Sequence, residues 1–326
     1  MPGNVYWVLS QLIQKRNRFH MTQNTKVQRM KLGIALETAE GYLDGRTPTF
    51  RNLQEMAEVA EQIGLDSLWL ADHLIYRPRE QEEYGIWEAF TFLSALAAVT
   101  KKIVLGPLVA CTSFRSPALL AKMADALDEI SVGRFILGLG AGWHQPEYEA
   151  FGYPFDHLAS RFGEALQVIV PLLHEGHVDF QGHYYQVRNC VLRPRGPSPS
   201  GPPILIGAKR PRMLQLVARY ADAWNTAWHV ESTVVKERYE QFKKVCAAVG
   251  RDPATIELTA GTVVRLLESS KDATAEKAIS GSPEEIANRL QSFADVGVSH
   301  LIVVLDPPGV AGIEQFGRVV ELLHHE

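Results

Sequence analysis

Cysteine is scarce: three residues in 326, Cys111, Cys190 and Cys246, with no CxxC pair among them. An odd number of widely spaced thiols argues against a disulfide framework and against a cysteine zinc site, and fits a reducing, cytoplasmic setting. Long apolar runs are missing too. The mildly apolar stretch over 5–13 is far too short to span a bilayer, and its basic residues Lys15, Arg16 and Arg18 follow it, the reverse of a secretory leader. Neither sign of charge dominates. With 33 Lys and Arg against 37 Asp and Glu the net charge is −4, which gives no general attraction to nucleic acid or to an anionic membrane. What remains, at 46% hydrophobic and 21% charged residues, is the composition of an ordinary globule with a substantial core.

Periodic structure begins only after Met30 and Lys31, so residues 1–29 read as an extension outside the fold, disordered or not native to the protein, and 30–326 as one domain. From there short β-branched runs alternate with amphipathic stretches. Strands are predicted over 32–36, 67–70, 103–110, 135–140, 203–207, 222–226, 256–266 and 300–305. Several are apolar on both faces, as parallel strands between helices and a barrel interior must be. Between them, Leu53, Met56, Ala57, Ala60 and Ile63 recur at helical spacing before Gly64. Ser116 and Pro117 read as an N-cap and first helical residue ahead of Leu120, Met123, Leu127 and Ile130. Ser282 and Glu285 form a capping box.

Strict β–α alternation implies a parallel sheet with right-handed crossovers. Eight pairs with no linker between halves favour a closed (β/α)8 barrel, a TIM barrel, over a doubly wound sheet. An open dinucleotide-binding sheet should carry GxGxxG after its first strand, and here Glu37, Thr38, Ala39 and Glu40 follow instead. Residues 176–202 break the rhythm. Val178 to Val187 reads as an antiparallel hairpin turning near Gly182, an insertion before strand five.

In such a barrel the reactive groups gather where strands end. Those positions hold Glu37 after strand one, Asp72 and His73 after strand two, and Cys111, Thr112 and Ser113 after strand three. Gly140, Ala141, Gly142, Trp143 and His144 follow strand four; Gly207, Ala208, Lys209 and Arg210 follow strand five; Trp224, Asn225, Trp228 and His229 close strand six. No His-x-His ends strand one, which argues against a metal-dependent hydrolase, and no lysine ends strand six, which weakens a Schiff-base aldolase. His144 and Glu147 are spaced HxxE but lack a third ligand, so no metal site is expected.

The segment Trp69 to Leu74 resembles the flavin-facing segment of bacterial-luciferase-like enzymes and their deazaflavin-dependent relatives. Four further stretches resemble that family in order and spacing: Leu105 and Gly106 with Phe114 to Pro117; Gly133 to Phe135 with Gly138 to Trp143 and Phe151-Gly152; Pro203 to Gly207; and Ala221 to Asn225. The resemblance covers roughly 31–323 and implies a TIM barrel, a homodimer through helices two and three, and an oxidoreductase working on a small molecule. Its leading implication is hydride transfer with coenzyme F-420. The alternatives are a monooxygenase using reduced FMN and oxygen, and a cofactor-binding protein without turnover.

The resemblance places His73 and Asp72 against the redox ring, His73 as the proton-exchanging group and Asp72 as its orienter. It also implies a cis peptide at Leu108–Val109 under that ring, and Thr112, Gly140, Ala141, Gly142 and His144 close to it. Sugar-phosphate dehydrogenases of the deazaflavin branch carry an acid where this chain has Trp143, so Glu37 or His144 is left to supply a second acid. Gly207 and Ala208, feeding a helix start, offer backbone N–H groups and a positive dipole to a phosphate. Lys209, Arg210 and Arg212 add positive charge that suits the polyglutamate tail of coenzyme F-420 better than FMN.

Overall fold

The structure, a computed structural model, describes residues 29–77, 82–266 and 278–324, so the extension proposed over 1–29 lies outside the described residues except for Arg29. β1 (Lys31–Leu36) is followed by α1 (Phe50–Gln62), β2 (Ser67–Leu70), a short hairpin of β3 (Ile75–Tyr76) and β4 (Tyr84–Gly85), and α2 (Ala89–Val99). The third barrel strand comes in two pieces, β5 (Val104–Pro107) and β6 (Ala110–Cys111), and leads to α3 (Pro117–Ser131). β7 (Leu137–Gly140), α4 (Gln145–Phe151) and α5 (Leu158–Glu175) come next, then the antiparallel pair β8 (His177–Gln181) and β9 (Gln186–Val191). β10 (Ile204–Gly207), α6 (Pro211–Tyr220), β11 (Ala223–Thr226), α7 (Ser232–Val249) and β12 (Glu257–Arg265) follow. The last elements are β13 (Ile279–Ser280), α8 (Pro283–Asp295), β14 (His300–Asp306) and α9 (Val310–His324).

The large sheet runs β5-β2-β1-β14-β12-β11-β10-β7-β6, and the nine strands along it pair in parallel throughout. Because β5 and β6 are pieces of one strand, the two ends of that order meet, and a parallel bridge between Leu105 and Phe135 adds to the closure. This is the expected TIM barrel, with the hairpin inserted before its fifth strand. β2, β7 and β11 are buried at every residue, as parallel strands between helices and a barrel interior are. Among the described residues no helix is long and apolar enough to cross a membrane.

The helix caps are formed partly as expected. Ser282 Oγ accepts from the Glu285 amide while the Glu285 carboxylate accepts from the Ser282 amide. A second box, Thr49 with Asn52, starts α1. Ser116 does sit at the N-cap of α3, but its side chain makes no capping bond. Ile130 is also displaced from its expected stripe and is 44% exposed. The buried side of α3 ends instead on Asp128 and Ser131, and Asp128 accepts hydrogen bonds from the amide and hydroxyl of Ser198.

A polar layer crosses the barrel interior at the start of β14. Trp69 Nε1 donates to Ser67 Oγ at 2.7 Å, and Ser67 Oγ lies 2.7 Å from His300 Nε2. The Ser67 hydroxyl thus bridges the Trp69 indole and the His300 ring. Burial pushes His300 down to about 4 from the usual 6.5. The unfolded chain therefore binds an extra proton between those values, and stability is lost as pH falls from about 6.5 to about 4. The loss is roughly 3 kcal/mol. Urea unfolding at pH 7 and pH 5 checks this: the His300→Gln variant should lose less on acidification than the wild type, and equal losses would refute it.

Candidate active site

The strand ends open on a cavity of about 650 Å³ whose wall includes Glu37, Asp72, His73, Leu108, Val109 and Gly142, with Gly207, Ala208 and Lys209 on another side. That is a normal size for a small-molecule site. Of the fourteen residues expected to act or to bind there, nine thus line it. Thr112, Gly140, Ala141, His144 and Arg210 stand behind that wall.

The chain leaves β2 at two acidic-basic neighbours with different jobs. The Asp72 carboxylate takes Arg115 in a two-pronged pair at 2.7 and 2.8 Å and accepts the Cys111 amide at 2.8 Å. Its side chain is fully buried. It therefore ties strand two to the loop after strand three and does not touch the His73 ring nitrogens. His73 is held from elsewhere: its Nδ1 lies 3.0 Å from Glu147 Oε2, and Glu147 is 1% exposed. The same carboxylate accepts the amides of Leu74 and Ile75 through Oε1. Burial acts to lower the His73 pKa, but the Glu147 hydrogen bond and charge, with Asp72 and Glu37, outweigh it and raise the value. Burial raises Glu37 as well, tempered by the charge of His73. A histidine that favours its proton and a carboxyl that favours its own thus share one cavity.

The Leu108–Val109 peptide is cis, as the resemblance implied, and so is Ala227–Trp228. Gly140 and Gly142 prove to make room for protein side chains. A Cβ on Gly140 would stand 2.6 Å from Val109 Cγ2. One on Gly142 would collide with Tyr148 Oη, and its φ of +79° is a glycine conformation. Tyr148 Oη donates to Ala141 O at 2.9 Å and sits 2.9 Å from Cys111 Sγ. Burial pushes the Cys111 thiol up to about 12. Thr112 Oγ1 donates to Gly140 O at 3.3 Å, joining the two loops.

His144 caps the small hairpin: its Nε2 accepts the Arg77 amide at 3.0 Å and its ring stacks on Tyr76 at 4.6 Å. Burial lowers its pKa. Trp143 and Trp228 line the cavity at 61% and 46% exposure, whereas Trp224 is core, packed on Phe242. On the strand-five side, Lys209 lines the cavity, Arg210 is the N-cap of α6, and Arg212 turns away to donate to Ser160 at 2.8 Å.

Sequence reasoning missed three groups. Glu147 was visible only as an acid near a helix start. Arg115 stood in a recognised motif without a role. Arg238 of α7 gave no signal at all. Its charge bears on Lys209 and His229, and its buried Nε has no hydrogen-bond partner among the described residues. Burial and these two cations push His229 down to about 4.

Comparison with known proteins identifies the family and the fold. Residues 30–277 match the family described as luciferase-like monooxygenase. The chain is 33% identical over 173 residues to a 5,10-methylenetetrahydromethanopterin reductase of Archaeoglobus fulgidus, covering 53% of this chain and 48% of that protein. It is 34% identical over 195 residues to pyrimidine monooxygenase RutA of Agrobacterium fabrum, 58% and 52% of the two chains. Against an F420-dependent glucose-6-phosphate dehydrogenase of Amycolatopsis mediterranei it is 31% identical over 235 residues, 70% and 68%. The chain spans about half the length of the first two. Among solved structures, an F420-dependent secondary alcohol dehydrogenase in complex with an F420-acetone adduct superposes with a TM-score of 0.76 at 19% identity, covering 91% of this chain and 99% of that one.

Proposed function

The chain belongs to the luciferase-like monooxygenase family, and from that premise we propose that it is an oxidoreductase moving a hydride between coenzyme F-420 and a small organic substrate. The observation that carries the choice of coenzyme is the cationic corner of the cavity. Lys209 lies on the wall and the charge of Arg238 bears on it, and among the described residues neither forms an ion pair with a carboxylate. Arg210 starts α6 beside them, where the helix dipole favours an anion. Leu108, Val109 and Gly142 would hold the ring system, and Gly207, Ala208 and Lys209, with Arg210 at the start of α6, the phosphate and its acidic tail. The donor set therefore fits a ring system that carries a long anionic arm.

When bound, the deazaflavin supplies or takes the hydride, and the protein contributes position and proton handling. His73 exchanges a proton with the substrate at its cavity-facing nitrogen, within the range of pH where imidazole does such work. Glu37, a carboxyl on the wall that burial inclines to keep its proton, supplies the second acid. His144 leaves that role, because its Nε2 is occupied by the Arg77 amide. Trp143 and Trp228 offer apolar surface to the substrate on the cavity wall. A cytoplasmic homodimer is part of the same proposal.

The similarity to a pyrimidine monooxygenase favours one second reading, reduced FMN with oxygen as co-substrate. Titrating both coenzymes at low and high salt separates the two. Coenzyme F-420 should bind more tightly and lose affinity with salt, since exposed charges are screened over ~8–10 Å at physiological ionic strength. The double variant Lys209→Ala, Arg210→Ala should lose most of that salt dependence. Equal or tighter binding of FMN, insensitive to salt, would replace this reading with the monooxygenase. Tight binding without redox activity towards any substrate would replace it with a binding protein.

A further inference from the structure

We propose that Glu147 is a positioning residue that holds His73 in its Nδ1–H tautomer and so makes Nε2 the nitrogen that meets the substrate. The inference rests on the reading of His73 as the proton-handling group. Glu147 stands in the first turn of α4, and its carboxylate is pinned before it meets the ring: Oε1 accepts the amides of Leu74 and Ile75. Oε2 is then left facing His73 Nδ1 at 3.0 Å. A carboxylate only accepts, so the hydrogen in that contact belongs to Nδ1, and the neutral ring keeps its lone pair on Nε2. At 1% exposure water does not compete for the bond.

Among the described residues no other neighbour does this work. Asp72 is taken up by Arg115 and, like Glu37, bears on the ring only by its charge. The His144 ring stands 6.4 Å off with its Nε2 engaged, and Tyr76 and Trp143 approach edge-on. The same loop amides that anchor Glu147 belong to the segment carrying His73. Helix α4 therefore sets both the position of the loop and the tautomer of its histidine, as an outer carboxylate does for a ligating histidine.

The test is Glu147→Gln, read by nitrogen NMR of the His73 ring in the full chain without coenzyme. The amide oxygen still accepts from Leu74 and Ile75, but its NH2 now donates to Nδ1. We expect the wild type to show Nδ1–H and the variant Nε2–H, with the His73 titration midpoint falling by about one pH unit or more as the negative charge is lost. The melting temperature should stay within a few degrees. A wild-type ring protonated at Nε2 alone, or a variant with unchanged tautomer and midpoint, would overturn the proposal and leave Glu147 a structural brace. Failure of the underlying reading looks different: the tautomer behaves as stated, yet removing the His73 ring leaves turnover unchanged.

Discussion

In the His73→Ala variant we expect turnover to fall ~10²–10⁴-fold, the usual contribution of a general acid–base group, while the melting temperature stays within a few degrees. The small thermal change follows from where the ring sits. His73 is a quarter exposed on a cavity wall, so truncation enlarges an open site and does not leave a closed void, and most of the cost of a core deletion is absent. Glu147 loses one donor but keeps the Leu74 and Ile75 amides. The measurement is the rate of coenzyme oxidation or reduction with a substrate panel, set beside a thermal melt of the same sample. A folded variant that turns over at the wild-type rate would remove His73 from the chemistry and leave Glu37 as the group to test.

The barrel was legible because its signals are periodic and local. β2 forms over the residues predicted, 67–70, and the other barrel strands fall within a few residues of their expected bounds. Several are short runs apolar on both faces, a pattern that burial between helices and barrel interior imposes on its own. The third strand shows where the pattern runs out. Read as one run over 103–110, it splits at Pro107, which cannot donate to the ladder, and pairs β2 on one side of the break and β7 on the other. Ile130 marks a second limit: its spacing fits the stripe, but buried Asp128 and Ser131 hold the face it would have shared. A helix turns its most tightly bonded side inward, and spacing alone does not reveal which bonds form.

The site was legible in its positions and not in its partnerships. Strand ends identified Glu37, Asp72, His73 and Lys209, and all four line the cavity. Which groups hold them could not be read, since each partner is remote in sequence: Glu147 is 74 residues from His73, and Arg115 is 43 from Asp72. Adjacency misled here. Asp72 beside His73 suggests that one orients the other, but neighbouring side chains in the extended stretch after β2 diverge, and each finds its own partner.

The Arg115→Ala variant should be the most destabilised of the substitutions considered, by about 3–5 kcal/mol, the range found when one partner of a buried pair is removed. Asp72 is fully buried and Arg115 a tenth exposed, so neither is rescued by water. Truncation leaves the carboxylate with only the Cys111 amide, and an uncompensated charge in that position is costly. Arg115 also pairs with Glu88, the N-cap of α2, and lies 4.5 Å over the Phe90 ring. Three elements therefore loosen together. Arg115→Lys should recover only part of it, since an ammonium cannot reproduce the paired prongs. Adding Asp72→Asn to Arg115→Ala should restore much of the lost stability, and that non-additivity measures the pair directly. A deficit below about 1 kcal/mol, or one indifferent to Asp72→Asn, would show that the pair is not what fixes the His73 loop to the barrel, and the pinning would then fall to Glu147 alone.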